Sequence, residues 1–261
     1  MMDRDADKTI AIDADRSYRY AGLTRPHAPG LAVAAAVERQ RRFAYTEARL
    51  MRLLASRIVT IPTRDVKALL ARLQYEDALH ADSWRARVRE MRTNKSKLEG
   101  SPDAALEALF DEAERLPGVY PFLAVVTRLL KPALRDAYRS YEQETNGLAD
   151  YPSVRRAREA LADEEEHLRL LTLALDDIQP TDDDRRIADA WERALHASLR
   201  RAGGFDGTAE RPAPPSSRTV TRSPYRIPHV LTRDNSLPRV WDYVAPPLEE
   251  VPARLDYMMA L

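Results

Sequence analysis

Residues 151–178, YPSVRRAREALADEEEHLRLLTLALDDI, repeat apolar side chains with the period of an α-helix. The apolar positions are three or four residues apart, so they form one continuous stripe on one helix face, which we call a seam. The seam consists of Val154, Ala157, Leu161, Leu168, Leu171, Leu175 and Ile178. Glu164 and His167 lie on or beside this seam. Because a buried charge is costly unless it is paired or bound to a metal, these two side chains call for an interior partner.

Two helices earlier in the chain also combine an apolar seam with polar residues on it. The first is predicted from about residue 32 to residue 61, and Pro62 breaks it. The second is predicted to run to about residue 91, with Thr63 at its amino-terminal cap. The short connection between them predicts an antiparallel hairpin. The polar residues on the two seams are Gln40, Glu47, Asp77 and His80.

The rest of the chain predicts three further helices and a crossover. Residues 93–118 form a polar crossover with a short helix over about 104–115. A third long helix is predicted over about 120–145, with a kink near Pro132 in its interior. A fifth helix follows the fourth and ends near residue 203. The fold class predicted is all-α, an up-down four-helix bundle with a long crossover and a fifth helix.

Composition restricts the function classes. The chain of 261 residues has a formal net charge of +0, so neither nucleic acid nor a membrane is an expected partner. It contains no cysteine, so a metal would be held by His, Asp, Glu or Tyr. No apolar run resembles a secretory signal or a membrane span, and a cytoplasmic location is expected. The arginine run at residues 39–42 is interpreted as a solvated face or a helix end.

Three regions are expected. Residues 1–31 form an amino-terminal arm, residues 32–202 the helical bundle, and residues 203–261 a proline-rich carboxy-terminal arm. Aromatic and aliphatic residues such as Trp241 make the second arm too apolar for a solvated tail. We therefore expect residues 220–245 to be ordered and packed on the bundle.

Three carboxylates on the seams are predicted to lie at one depth. Glu47 lies fifteen residues before Pro62 and Asp77 fifteen after it, so a hairpin turn at Pro62 brings them level. Glu164 is about fifteen residues from the second turn, taken near residue 149. In each pair, Asp77 with His80 and Glu164 with His167, a spacing of three puts both side chains on one helix face.

This pattern resembles that of the ferritin-like di-metal carboxylate superfamily, over roughly residues 35–178. That superfamily has a Glu on the first and third helices and Glu-x-x-His on the second and fourth. The stretch Asp150-Tyr151-Pro152-Ser153 followed by Asp163-Glu164-Glu165-Glu166-His167 looks like the fourth helix of uncharacterised bacterial ferritin-like proteins. The metal ligands that the resemblance implies are Glu47, Asp77, His80, Glu164 and His167, with Asp77 standing where Glu is usual and Glu76 as an alternative to it.

The third helix departs from the superfamily pattern. On the third helix, the residue at the same distance from the turn as Glu164 is near Leu134. No Glu occupies an apolar-seam position within one turn of it. The nearest candidates are Asp136, Tyr138 and Glu142. The number of metal ions therefore stays open between one and two.

Two functions remain open at this stage. The resemblance implies an iron- or manganese-dependent oxidase or oxygenase that acts on a small organic molecule, with Tyr138 or Tyr141 positioning the substrate. Zinc would accept the same nitrogen and oxygen ligands. The alternative is a metal-free ferritin-like binding or scaffolding protein in which the same residues form a buried hydrogen-bond network. The expected partner is a small-molecule substrate, and homodimerisation is left open; His27, His196 and His229 are expected on the surface or in the arms.

Overall fold

Helices are the regular secondary structure of the part of the chain that the structure describes. The structure, a computed structural model, describes residues 28–91, 96–212 and 232, except the side chains of residues 96 and 97. No strand occurs in these ranges, which confirms the all-α prediction. In chain order the elements are α1 (Val33–Ile58), α2 (Arg64–Glu90), α3 (Ser96–Glu99), α4 (Ala104–Ala113), α5 (Tyr120–Val125), a π-helical turn (Val126–Leu130), α6 (Lys131–Glu144), α7 (Tyr151–Asp176) and α8 (Asp182–Arg201).

The long helices pack in pairs. α1 packs along α2, and α6 packs along α7, as expected for helices joined by short connections. α2 also packs against α7, so the two pairs face each other. α4 and α5 both pack against α8, which covers the side formed by the crossover. The interior enclosed by α1, α2, α6 and α7 is where the polar seam residues lie.

A layer of aromatic side chains fills one part of this interior. The ring of Phe43 on α1 lies 4.8 Å from that of Tyr138 and 5.2 Å from that of Trp84, between ring centroids. The rings of Trp84 and Tyr138 stack with 15° between their planes, and Trp84 Nε1 donates a 3.1 Å hydrogen bond to the Tyr138 hydroxyl. All three side chains are buried, and the layer therefore joins α1, α2 and α6.

The third long helix contains a π turn where a proline kink was predicted. The Lys131 amide donates to the Val126 carbonyl, five residues back, so the turn holds one residue more than an α-turn. Pro132 follows at once; it has no amide hydrogen and its ring crowds the carbonyl four residues earlier. Since each helical residue spans about 100°, the extra residue rotates all later positions of the helix, starting with Lys131.

Two features of the α1–α2 turn differ from the sequence interpretation or extend it. Thr63 is the amino-terminal cap residue of α2, but its side chain makes no capping hydrogen bond. Thr232 lies against this turn, where its amide donates to the Val59 carbonyl at 2.9 Å and its carbonyl accepts from Lys67 Nζ at 2.6 Å. Thr232 is the one described residue of the segment 220–245. The predicted packing of that segment, Trp241 included, otherwise lies outside the described residues, as does most of the predicted amino-terminal arm.

The arginine run at residues 39–42 is not the solvated face that was expected, because Arg39 and Arg42 are buried. Arg42 Nη2 donates to the carbonyls of Ala202 and Gly204, each at 2.7 Å, and Nε donates to that of Phe205 at 3.0 Å. These carbonyls follow the last turn of α8. The Arg42 guanidinium on α1 thus supplies hydrogen bonds to the backbone carbonyls at the end of α8 and holds that end against the helical pairs. No helix in the described ranges is long and apolar enough to cross a membrane.

We predict that Arg42→Leu lowers the free energy of unfolding by about 2–4 kcal/mol, because several buried carbonyls lose a charged donor. Chemical denaturation followed by circular dichroism measures this change. Arg155→Leu is the matched control, since the Arg155 side chain is 70% exposed and pairs with Glu159 on its own helix. The control should stay within about 0.5 kcal/mol of the parent chain. Equal losses of unfolding free energy in the two variants would contradict the role assigned to Arg42.

Candidate metal centre

The structure brings four of the five predicted ligands into one buried group. Glu47 comes from α1, Asp77 and His80 from α2, and Glu164 from α7. Each of the four offers a ligand atom, and these atoms all lie within 4.8 Å of one another. Glu47, Asp77 and Glu164 are 0% exposed and His80 is 8% exposed. The helical spacing and the equal depth of the seam positions are sufficient to explain this convergence.

Lys131 on α6 is the residue that the sequence interpretation missed. Its ammonium group lies 2.6 Å from Asp77 Oδ1 and 2.6 Å from Glu164 Oε1, and both are hydrogen bonds. His167 Nδ1 is 3.1 Å from the same nitrogen. Lys131 is 0% exposed. A cation therefore already lies among three of the predicted ligands, Asp77, Glu164 and His167.

His167, the fifth predicted ligand, is buried but has both ring nitrogens engaged. Nδ1 faces the Lys131 ammonium, and Nε2 lies 2.7 Å from Glu76 Oε2. Glu76 also accepts a 3.0 Å hydrogen bond from Arg72 at the surface of α2. Glu76 thus orients His167 instead of replacing Asp77 in the group.

His80 is held between a buried and a half-exposed carboxylate. Its Nε2 is 3.0 Å from Asp163 Oδ2 on α7, and its Nδ1 is 3.2 Å from Glu47 Oε1. The Nδ1 contact is close enough for charge attraction, although Nδ1 has no aligned hydrogen bond within the described part of the chain. Nδ1, the nitrogen on the Glu47 side, is the one that could bind a metal.

Four polar atoms of this group have no hydrogen-bond partner among the described residues. They belong to the same four side chains whose ligand atoms lie close together. Leaving a buried polar atom unpaired costs about 1–3 kcal/mol, so four on neighbouring residues call for a common partner. The atoms are Glu47 Oε2, Asp77 Oδ2, His80 Nδ1 and Glu164 Oε2.

Tyr138 and Tyr141 take structural positions next to the group. The Tyr138 hydroxyl donates a 2.5 Å hydrogen bond to Glu47 Oε1. Its pKa is raised well above the usual value, mainly by burial and secondly by the charge of Glu47. The Tyr141 hydroxyl donates to Asp150 at 2.6 Å and accepts from Gln40 at 2.6 Å. Tyr138 therefore fixes one oxygen of Glu47 and leaves the other for a metal.

The remaining candidates lie away from the group. Asp136 pairs with Arg135 and Glu142 with Arg158, both at the surface of α6, so neither supplies the missing third-helix carboxylate. Glu165 and Glu166 lie at the surface of α7, and His196 is exposed, as expected. His27 and His229 lie outside the described residues.

Burial and charge set the protonation of the group. Burial raises the pKa of Asp77 to about 7, against the opposing charge of Lys131. Burial raises the pKa of Glu164 too, but the Lys131 charge and His167 outweigh it and leave that pKa below its usual value. For Lys131 itself, burial lowers the pKa, but the neighbouring carboxylates, Asp77 foremost, raise it above the ordinary lysine value. The ammonium is therefore a permanent charge.

His80 behaves as a cation as long as no metal is bound. Burial lowers its pKa, but the charge and contact of Glu47 and the hydrogen bond of Asp163 outweigh burial and raise the pKa to about 9. A metal ion at Nδ1 would have to displace the proton that this nitrogen carries near neutral pH.

Comparison with protein-family models, with curated proteins and with solved structures finds no match to this chain. The assignment of a function therefore depends on the geometry of the group.

We predict a pH-dependent stability of the metal-free protein that His80 controls. Because the pKa of His80 rises from 6.5 in the unfolded chain to about 9 in the folded one, its stabilisation is complete below about pH 6.5 and is lost as the pH rises through about 9. Over this window the free energy of unfolding should fall by up to about 3 kcal/mol. Asp77, whose raised pKa is about 7, adds a loss of the same sign at the lower end.

Thermal and urea unfolding across this window, in the presence of a chelator, measure the effect. His80→Gln should flatten the upper part of the profile, whereas His196→Gln, at an exposed histidine of α8, should leave it unchanged. Identical slopes in the parent chain and His80→Gln would show that the Glu47 and Asp163 contacts do not stabilise the charged imidazole.

Proposed function

We propose that this chain is a metal-dependent oxidoreductase that holds one divalent ion, iron or manganese, at Glu47, Asp77, His80 and Glu164. The observation that carries the proposal is the set of four unpaired buried atoms, one on each of these residues. Their ligand atoms lie within 4.8 Å of one another, a separation that one ion can bridge. One imidazole and three carboxylates are ligands that iron, manganese and zinc all accept.

Charge balance favours one ion over two. Three ionised carboxylates and the Lys131 ammonium give the group a net charge of −2 when His80 is neutral, since −3 and +1 sum to −2. A single divalent ion neutralises that charge. A second ion would have to displace the ammonium from Asp77 and Glu164, where it already makes two hydrogen bonds of 2.6 Å.

The arrangement of the helices supports a ferritin-like four-helix bundle. α1 with α2 and α6 with α7 form the two pairs, and the connection that carries α3 and α4 separates them in sequence. In ferritin-like bundles the metal residues project inward from facing helices, and here they project from α1, α2 and α7. Lys131 faces Asp77 and Glu164 from α6, the helix that would correspond to the third helix of that pattern.

The proposed chemistry follows from the surroundings of the ligands. A redox-active ion at this position would supply one-electron chemistry toward dioxygen and a small organic substrate. Tyr138 donates to Glu47 and Asp163 faces His80, so two of the four ligands are held by neighbours that restrict their rotation. Because the three carboxylates are fully buried, an ion bound to them would be shielded from bulk water.

A metal-free scaffolding role is the second candidate, and Lys131 is the observation that favours it. The ammonium pairs with Asp77 and Glu164, and a protonated His80 pairs with Glu47. Together these contacts balance most of the buried charge by internal ion pairs. In this role the group would specify helix arrangement without catalysis.

The metal proposal predicts one divalent ion per chain. Protein stripped with a chelator and then given Fe(II) or Mn(II) under anaerobic conditions should bind one equivalent, measured by elemental analysis and by a rise in unfolding temperature. Glu47→Gln and His80→Gln should weaken binding at least about tenfold, because each removes a ligand. Glu142→Gln, at a surface carboxylate paired with Arg158, should bind as the parent chain does. Protein that stays metal-free would contradict the metal proposal and favour the scaffolding role.

Replacement of the buried ammonium should change the number of ions. In Lys131→Glu the net charge of the group falls from −2 to −4 and a carboxylate faces Asp77 and Glu164, so we expect two divalent ions per chain. Lys131→Met removes the charge without supplying a ligand and should bind one ion. Metal titration followed by elemental analysis compares the two variants. One equivalent in both would show that Lys131 does not occupy a second metal position.

A further inference from the structure

A cleft between α2 and α7 leads from the surface to His80. Its volume is about 320 Å³. Leu79, His80 and Trp84 line the α2 side, and Ala160 and Asp163 are on the α7 side. The cleft is therefore built by the two helices that supply three of the four proposed ligands.

The cleft reaches the proposed centre at His80, which is partly exposed. Glu47, Asp77, Glu164, His167 and Lys131 are all 0% exposed, whereas His80 is 8% exposed. Asp163, half-exposed at the rim, hydrogen-bonds His80 Nε2 at 3.0 Å. Among the described residues, His80 and its Asp163 contact therefore separate the centre from the cleft.

The walls of the cleft combine apolar surface with charges that are already paired. Leu79 is 51% exposed, whereas Trp84 and Ala160, which also line the cleft, are each 1% exposed. Each charged rim residue has an opposite charge nearby among the described residues, so the rim does not favour an ionic ligand. The pairs are Arg156 with Glu90 at 3.1 Å, Glu159 with Arg155 at 2.9 Å, and Asp163 with His80 at 3.0 Å.

We propose that this cleft is the substrate site of the centre and binds a small uncharged organic molecule with an apolar ring. The ring packs between Leu79, Trp84 and Ala160, and a hydroxyl or carbonyl group on it hydrogen-bonds at the His80–Asp163 contact. The volume lies at the lower end of the range for small-molecule pockets, about 300–1,000 Å³, which limits the ligand to about one ring with a short substituent. The inference rests on the proposed metal centre for its chemistry, but binding in the cleft does not require the metal.

The test uses metal-free full-length protein and three probes of one shape. Benzyl alcohol is uncharged, benzoate is an anion and benzylammonium is a cation. Histidine labelled with ¹⁵N and ¹³C reports binding through the ring resonances of His80, and those of the exposed His196 serve as an internal reference. We expect benzyl alcohol to shift the His80 resonances alone and to bind more tightly than either charged probe.

Two substitutions in the cleft and one outside it complete the design. Ala160→Leu fills the cleft and Leu79→Glu places a charge in it, and each should weaken benzyl alcohol binding at least about tenfold. Leu173→Glu is the matched control, because Leu173 is 52% exposed against 51% for Leu79 and does not line the cleft. The control should bind within about twofold of the parent chain.

The outcomes separate this inference from the proposed function. Unshifted His80 resonances, unchanged binding in both cleft variants, or tighter binding of a charged probe would each overturn the inference, whether or not the protein binds metal. Benzyl alcohol binding in the cleft of a protein that takes up no metal would support the cleft as a ligand site and overturn the metal centre.

Discussion

The Lys131 ammonium lies 2.6 Å from each of two carboxylates, Asp77 and Glu164, and all three side chains are fully buried. They come from α6, α2 and α7, so this one interaction joins three helices across the interior. Breaking a buried ion pair leaves an uncompensated charge, which is far more costly than the loss of an apolar contact. The rotation of α6 relative to α2 and α7 is therefore confined to arrangements that keep both contacts. The π turn before Pro132 adds the one residue that sets this rotation.

The two buried histidines are held in a reciprocal manner. Asp163 on α7 contacts His80 on α2, and Glu76 on α2 contacts His167 on α7. In each case the outer carboxylate fixes one ring nitrogen and the other nitrogen faces the interior. The inner partners differ: His80 faces Glu47, whereas His167 faces Lys131. The two histidines thus occupy corresponding positions on facing helices, but His80 meets a negative charge inside and His167 a positive one.

The sequence was sufficient to predict the helices and most of the polar interior. The predicted second and fourth helices correspond closely to α2 and α7, because apolar periodicity and proline breaks are local properties of the chain. Glu47, Asp77 and Glu164 were identifiable because each interrupts an apolar seam about fifteen residues from a turn, and His80 and His167 follow two of them at a spacing of three. Lys131 was missed, although it lies three residues before Leu134 and seven before Tyr138, both of which are buried. A lysine beside a seam normally extends its apolar stem and places its ammonium in water.

The sequence by itself determined that this protein is helical, that carboxylates and histidines interrupt its apolar seams, and that these interruptions share one depth, since all three follow from spacing along the chain. Only the tertiary structure decided which of them face one another and with what counter-charge. The interior position of Lys131 depends on the added residue of the π turn and on two carboxylates from other helices. The burial of Arg42 depends on where α8 ends against α1. Both cations are interior because the fold supplies their acceptors, and those acceptors are remote in sequence and close only once the helices have packed.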